Sequence, residues 1–136
     1  MSRQLTTEDA RQSLREHCAA KGAEARAKYG PHWGWAELQR LLADRALVRY
    51  PCEVEFDSTP LQAGEFAYPE PLGNRPDAGY RICIHPHFEA DLNAVPPLVL
   101  YQLVAVNYGD FATADDAEAF GAAALGQGCY AYYEQL

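Results

Sequence analysis

The residues best suited to chemistry lie together at Cys83-Ile84-His85-Pro86-His87. On an extended strand Cys83, His85 and His87 share one face, because successive side chains alternate. A thiolate and two imidazoles on one face can supply three ligands to zinc or copper. The opposite parity carries Tyr80, Ile82 and Ile84. It gives a competing assignment in which the isoleucines form the core face and both histidines look to solvent. Pro86 also bends the chain between the imidazoles, and no second cysteine or acidic ligand follows at a recognisable spacing. The remaining thiols, Cys18, Cys52 and Cys129, stand singly with no C-x-x-C pair, as reduced and buried cysteines do. An even count of four permits two disulfides without arguing for them. His17 and Cys18 are adjacent, and neighbours on a helix point in different directions, so they make a poor nucleophile and base. The sequence holds no P-loop, G-x-G-x-x-G, G-x-S-x-G or EF-hand pattern.

These residues need elements to position them. Thr6-Thr7-Glu8-Asp9 has the form of a helix cap, and a helix follows to about Lys28. Its apolar stripe (Ala10, Leu14, Cys18, Ala25, Tyr29) is sparse and interrupted by Gly22, which places this helix on the outside. Gly30-Pro31 stops it. Trp35 to Asp44 reads as a second, short helix with Trp35, Leu38, Leu41 and Leu42 on one face. From Leu47 to Phe56 the chain reads as a strand. Cys52, Val54 and Phe56 point one way and Glu53 and Glu55 the other, while Pro51 marks a bend or an edge. A second strand is expected at Gly64 to Tyr68 and a third at Tyr80 to His85, with a Pro- and Gly-rich loop from Pro69 to Gly79 between them. Short connections suggest an antiparallel meander.

Pro96-Pro97 then opens the segment LVLYQLVAVNYG, and Gly109 is placed to stop it. A helix apolar nearly all round belongs in the core, lying across the sheet. Thr113-Ala114-Asp115-Asp116 starts another helix, which runs to Leu125 before Gly126 and Gly128. The tail, Cys129 to Tyr133, is too aromatic for a frayed end. It packs back on the domain or onto a second subunit. The expected fold is α+β over a single domain, residues 1–136: a three-stranded, mostly antiparallel sheet against a buried helix, two N-terminal helices and a C-terminal helix.

The buried helix carries Tyr101-Gln102-Leu103-Val104-Ala105. A strand, a loop, a strand and then such a helix resembles the minimal zincin-type metalloprotease layout. That resemblance implies a helix bearing H-E-x-x-H, with two zinc-binding histidines one turn apart and a glutamate as general base. Overlaid, Tyr101 and Ala105 stand at the histidine positions and Gln102 at the glutamate. Tyrosine is a poor zinc ligand, alanine is none, and an amide cannot accept the proton of a metal-bound water. Asp115, Asp116 or Glu118 falls in the region of the third ligand. The resemblance spans Leu47 to Leu125 and rests on the order of elements, with no motif residue preserved. It implies a scaffold whose metal chemistry has been lost, leaving a binding or structural role. The alternative is an ordinary core helix whose Tyr101 and Gln102 are satisfied by nearby backbone.

Composition narrows the classes. A chain of 136 residues with 49% apolar and 22% charged residues suits one globular domain. The net charge of −8 leaves no basic surplus for phosphates, which argues against nucleic acid and anionic membranes. No apolar run approaches a membrane span, and the polar start MSRQLTTEDARQ lacks a signal-peptide core, so the expectation is a cytoplasmic protein. Trp33, Trp35, Tyr68, Tyr130, Tyr132 and Tyr133, with Glu53, Glu55, Glu65 and Glu70 nearby, suit either an interface or ordinary packing. The function expected is a non-catalytic binding or interaction module, with a protein partner or self-association and no cofactor. The competing readings are a zinc-dependent hydrolase or metal-binding protein using Cys83, His85 and His87, and an acidic inhibitor or immunity-type protein for a basic partner.

Overall fold

A computed structural model describes residues 6–136, except the side chains of Tyr130 and Tyr133. The expectation drawn from the first residues of MSRQLTTEDARQ, and those for these two tyrosines, lie outside the described residues. Helix α1 (Thr7–Tyr29) begins where the capping pattern places it. The Asp9 amide donates to Thr6 Oγ1 at 3.0 Å and the Thr6 amide to Asp9 Oδ2 at 3.2 Å. Such a reciprocal cap stabilises a helix by about 1 kcal/mol. Gly22 does not break α1. A Cβ there would collide with the Phe120 carbonyl, so the bare backbone lets α1 lie close along α4 (Ala114–Leu125). Helix α4 repeats the reciprocal cap with Thr113 and Asp116.

Short helix α2 (Trp35–Leu42) buries Leu38, Leu41 and Leu42 as its spacing requires. The following Leu47 and Val48 are buried in irregular chain rather than in a strand. They are held by Asn107, whose Nδ2 donates to Leu47 O at 2.8 Å while its Oδ1 accepts from the Arg49 amide at 2.9 Å. A side-chain amide thus supplies hydrogen bonds that a strand partner would otherwise give.

Strands β1 (Cys52–Phe56), β2 (Ala67–Pro71) and β3 (Tyr80–Ile84) form one sheet in the order β1-β3-β2. The fold is α+β, and its sheet is mixed: β2 runs antiparallel to β3, and β1 runs parallel to it. A meander would have placed β2 in the middle. Instead β3, the most apolar strand, takes the centre, with Ile82 and Ile84 fully buried. Helix α3 (Val95–Tyr108) packs across β2 and β3 on that face. Val99, Leu100 and Leu103 on α3 are fully enclosed. No helix of the described residues is long and apolar enough to cross a membrane.

Each outer strand turns half its backbone away from β3. On β1, Pro51 O accepts from the Tyr80 amide at 2.8 Å and the Asp57 amide donates to Ile84 O at 3.0 Å. Alternation then points Glu53 and Glu55 backbone groups inward, and those of Cys52, Val54 and Phe56 toward the free edge. On β2, Phe66 O accepts from the His85 amide at 2.9 Å and the Leu72 amide donates to Gly79 O at 3.0 Å. There the outward positions are Ala67, Pro69 and Pro71.

The tail forms α5 (Cys129–Gln135) and packs back on the domain. Tyr132 is fully buried, its ring lies over Gly121, and its hydroxyl donates to Pro97 O at 2.6 Å. Burial raises the Tyr132 pKa well above the ordinary tyrosine range, so the phenol stays protonated as that donor.

Candidate functional site

Cys83, His85 and His87 do not follow one strand face, because β3 ends at Ile84 and Pro86 opens a 3-10 turn, Pro86–Ala90. Cys83 is fully buried on the outer sheet face, in register between Glu55 of β1 and Tyr68 of β2. Its thiol points at Arg81 O, 3.8 Å away, and burial raises its pKa. His85 caps the turn, with Nδ1 accepting from the His87 amide at 3.1 Å. The exposed His87 ring sits 6.5 Å from the His85 ring and 5.4 Å from Phe88. The two imidazoles are therefore neighbours, but the sulfur is shut away from them. Among the described residues, no three His, Cys, Asp or Glu side chains converge as a metal-holding group.

The positions singled out on the core helix behave differently. Tyr101 and Gln102 are half-buried and Ala105 is exposed, on a helix whose other faces are closed. Together with Leu98 they recur at helical spacing and form one strip. On one side of this strip a cavity of about 210 Å³ opens toward β2, lined by Phe66, Ala67, Leu98, Tyr101, Gln102, Leu136 and one carboxylate, Glu65. On the other side a second cavity of about 180 Å³ runs under Ala112 to Ala114, with Tyr101, Gln102 and Ala105 as its floor. Tyr101 and Gln102 line both. Phe66 at the rim is 47% exposed and meets Phe88 edge-on at 5.7 Å. The cleft is thus mostly apolar, with one neutral amide and one phenol at its centre and the Glu65 carboxylate, which accepts from the Gln62 amide at 2.7 Å, in its lining. Asp115, Asp116 and Glu118 supply nothing to it: Asp116 is spent on the α4 cap, and Asp115 and Glu118 line a separate hollow of about 620 Å³ between α1 and α4.

Charge gathers on the outer sheet face, around a residue that spacing did not single out. Arg81 Nη1 bonds Glu55 Oε2 at 2.8 Å, and its Nη2 bonds Glu70 Oε1 at 2.6 Å and lies 3.5 Å from Asp57 Oδ2. Its hydrogen bonds to the Glu55 carboxylate, then to Glu70, raise its already high pKa. Its Nε is enclosed with no partner among the described residues. The available signal was its isolation, as the lone cation in alternating register with Glu53, Glu55 and Glu70. Of the conspicuous aromatics, Trp33 is a packing residue that donates from Nε1 to Ala124 O at 2.8 Å. Trp35 stacks on Phe56 at 6.2 Å and stays 36% exposed.

Against family models, curated proteins and solved structures, nothing matches this chain.

Proposed function

We propose that this chain is a non-catalytic binding module, on a scaffold resembling that of zincin metalloproteases, which receives an apolar side chain of a partner protein in the cleft over α3. The observation that carries this reading is the strip of Tyr101, Gln102 and Ala105. It is the accessible face of an otherwise closed helix, and it lies between two cavities. Where hydrolysis would need two imidazoles and a carboxylate, the strip offers a phenol, a methyl and an amide. Gln102 cannot take a proton from water. It can both donate to and accept from a peptide backbone, which is what a binding cleft asks of its few polar groups.

The test is an NMR titration of the 15N-labelled chain with N-acetylated amides of leucine, phenylalanine and lysine. Leucine and phenylalanine are expected to shift the amides of Ala67, Leu98 and Gln102, with affinities on the order of 10 mM for one buried side chain. Lysine should not. Gln102→Trp, which fills both cavities from the surface, should abolish the shifts while leaving the circular dichroism unchanged. Shifts that survive Gln102→Trp, or peptide cleavage on adding zinc, would refute the proposal.

A further inference from the structure

We propose that the free edge of β1 is a strand-addition site for an extended, basic segment of a partner protein. The inference is independent of the α3 cleft. The backbone groups of Cys52, Val54 and Phe56 point away from β3, and no backbone hydrogen bond among the described residues uses them. An unpaired row of this kind is a template for another strand. The side chains beside it specify what that strand must carry. On the helix side, Cys52, Val54 and Phe56 are half-buried, and Trp35 stacks on Phe56 with its indole still partly open. An incoming apolar side chain finds contacts there. On the other side stand exposed Glu53 and Glu55, then Asp57, and Arg81 on that face is already engaged by Glu55 and Glu70. The partner strand therefore alternates apolar residues with lysine or arginine.

A second copy of this chain does not fit the requirement. In any antiparallel β1–β1 register that keeps the apolar faces together, Glu53, Glu55 and Asp57 oppose one another, and like charges directly across a ladder repel.

The probe is a capped heptapeptide alternating valine and lysine, titrated into the 15N-labelled chain with amide hydrogen exchange as a second readout. The amides of Cys52, Val54 and Phe56 should shift and exchange more slowly. A valine–glutamate heptapeptide should not bind, and Glu53→Lys should weaken the lysine peptide by roughly three- to tenfold. Val54→Pro removes one outward donor without touching the β3 ladder, and should weaken binding by at least roughly tenfold. Should that variant fold poorly, N-methylation of alternate peptide amides replaces it: methyls on one peptide edge should abolish binding, and on the other edge leave it intact. Equal binding by a heptapeptide with its lysines clustered, shifts confined to β2 or the helices, or indifference to both the proline and the N-methyl groups would overturn the proposal.

Discussion

β1 and β2 flank the same central strand, yet they leave opposite kinds of rim. The outward positions of β2 are Ala67, Pro69 and Pro71, so two of the three have no amide hydrogen to offer. That edge is closed chemically, and its business is on its inner face, where Ala67 lines the cleft against α3. The outward positions of β1 all keep their donors, and acidic side chains stand between them. Proline excludes every incoming strand. Glutamate excludes only acidic ones, a copy of this chain among them. The difference separates protection against all pairing from selection of a partner by charge.

The largest expected effect tests what the two rims share. Ile82→Ala in the central strand should destabilise the chain by about 3 kcal/mol, in the range for emptying a fully buried aliphatic site. Amides of β1 and β2 should then lose exchange protection together. Loss on one side alone would mean that the sheet is not one cooperative unit. An intermediate effect comes from making the edges alike. Pro69→Val with Pro71→Val restores two outward donors to β2 at a stability change within about 1 kcal/mol, and sedimentation should show more self-association than in the parent chain. An unchanged distribution would mean that something other than proline guards that edge. The smallest effect is chemical and leaves stability alone. Burial pushes the Cys52 thiol up to about 11, whereas Cys129 is exposed. A raised pKa leaves little thiolate near neutrality, so alkylation of Cys52 should lag behind Cys129 and keep accelerating tenfold per pH unit through pH 10. A plateau below pH 9 would contradict the enclosed setting of that side chain.

Much of this fold is legible in the sequence because it is written locally. Thr6 with Asp9 and Thr113 with Asp116 announce helix starts, and α1 and α4 begin there. The alternation from Cys52 to Phe56 and the pair Ile82 and Ile84 mark the faces of β1 and β3 correctly. What depends on long-range pairing is not written locally. β2 was expected at Gly64 to Tyr68 and lies at Ala67–Pro71, because prolines read as loop unless one knows they face away from the neighbour. The central place of β3 is a choice among long-range pairings that no window contains. The same holds for the candidate site. The resemblance to the zincin helix groups Tyr101, Gln102 and Ala105, but only packing reveals that this strip is the one left open. Strand spacing groups Cys83, His85 and His87, and a turn at Pro86 undoes it.

Gly121 is the one place on α4 where an aromatic ring can rest on bare backbone, and Tyr132 fills it while tying itself to Pro97 at the start of α3. Any substituent at 121 would evict that ring, and a smaller residue at 132 would leave a void in its seat. The two sites, on consecutive helices, are thereby a single packing unit: a change at either one is felt at the other.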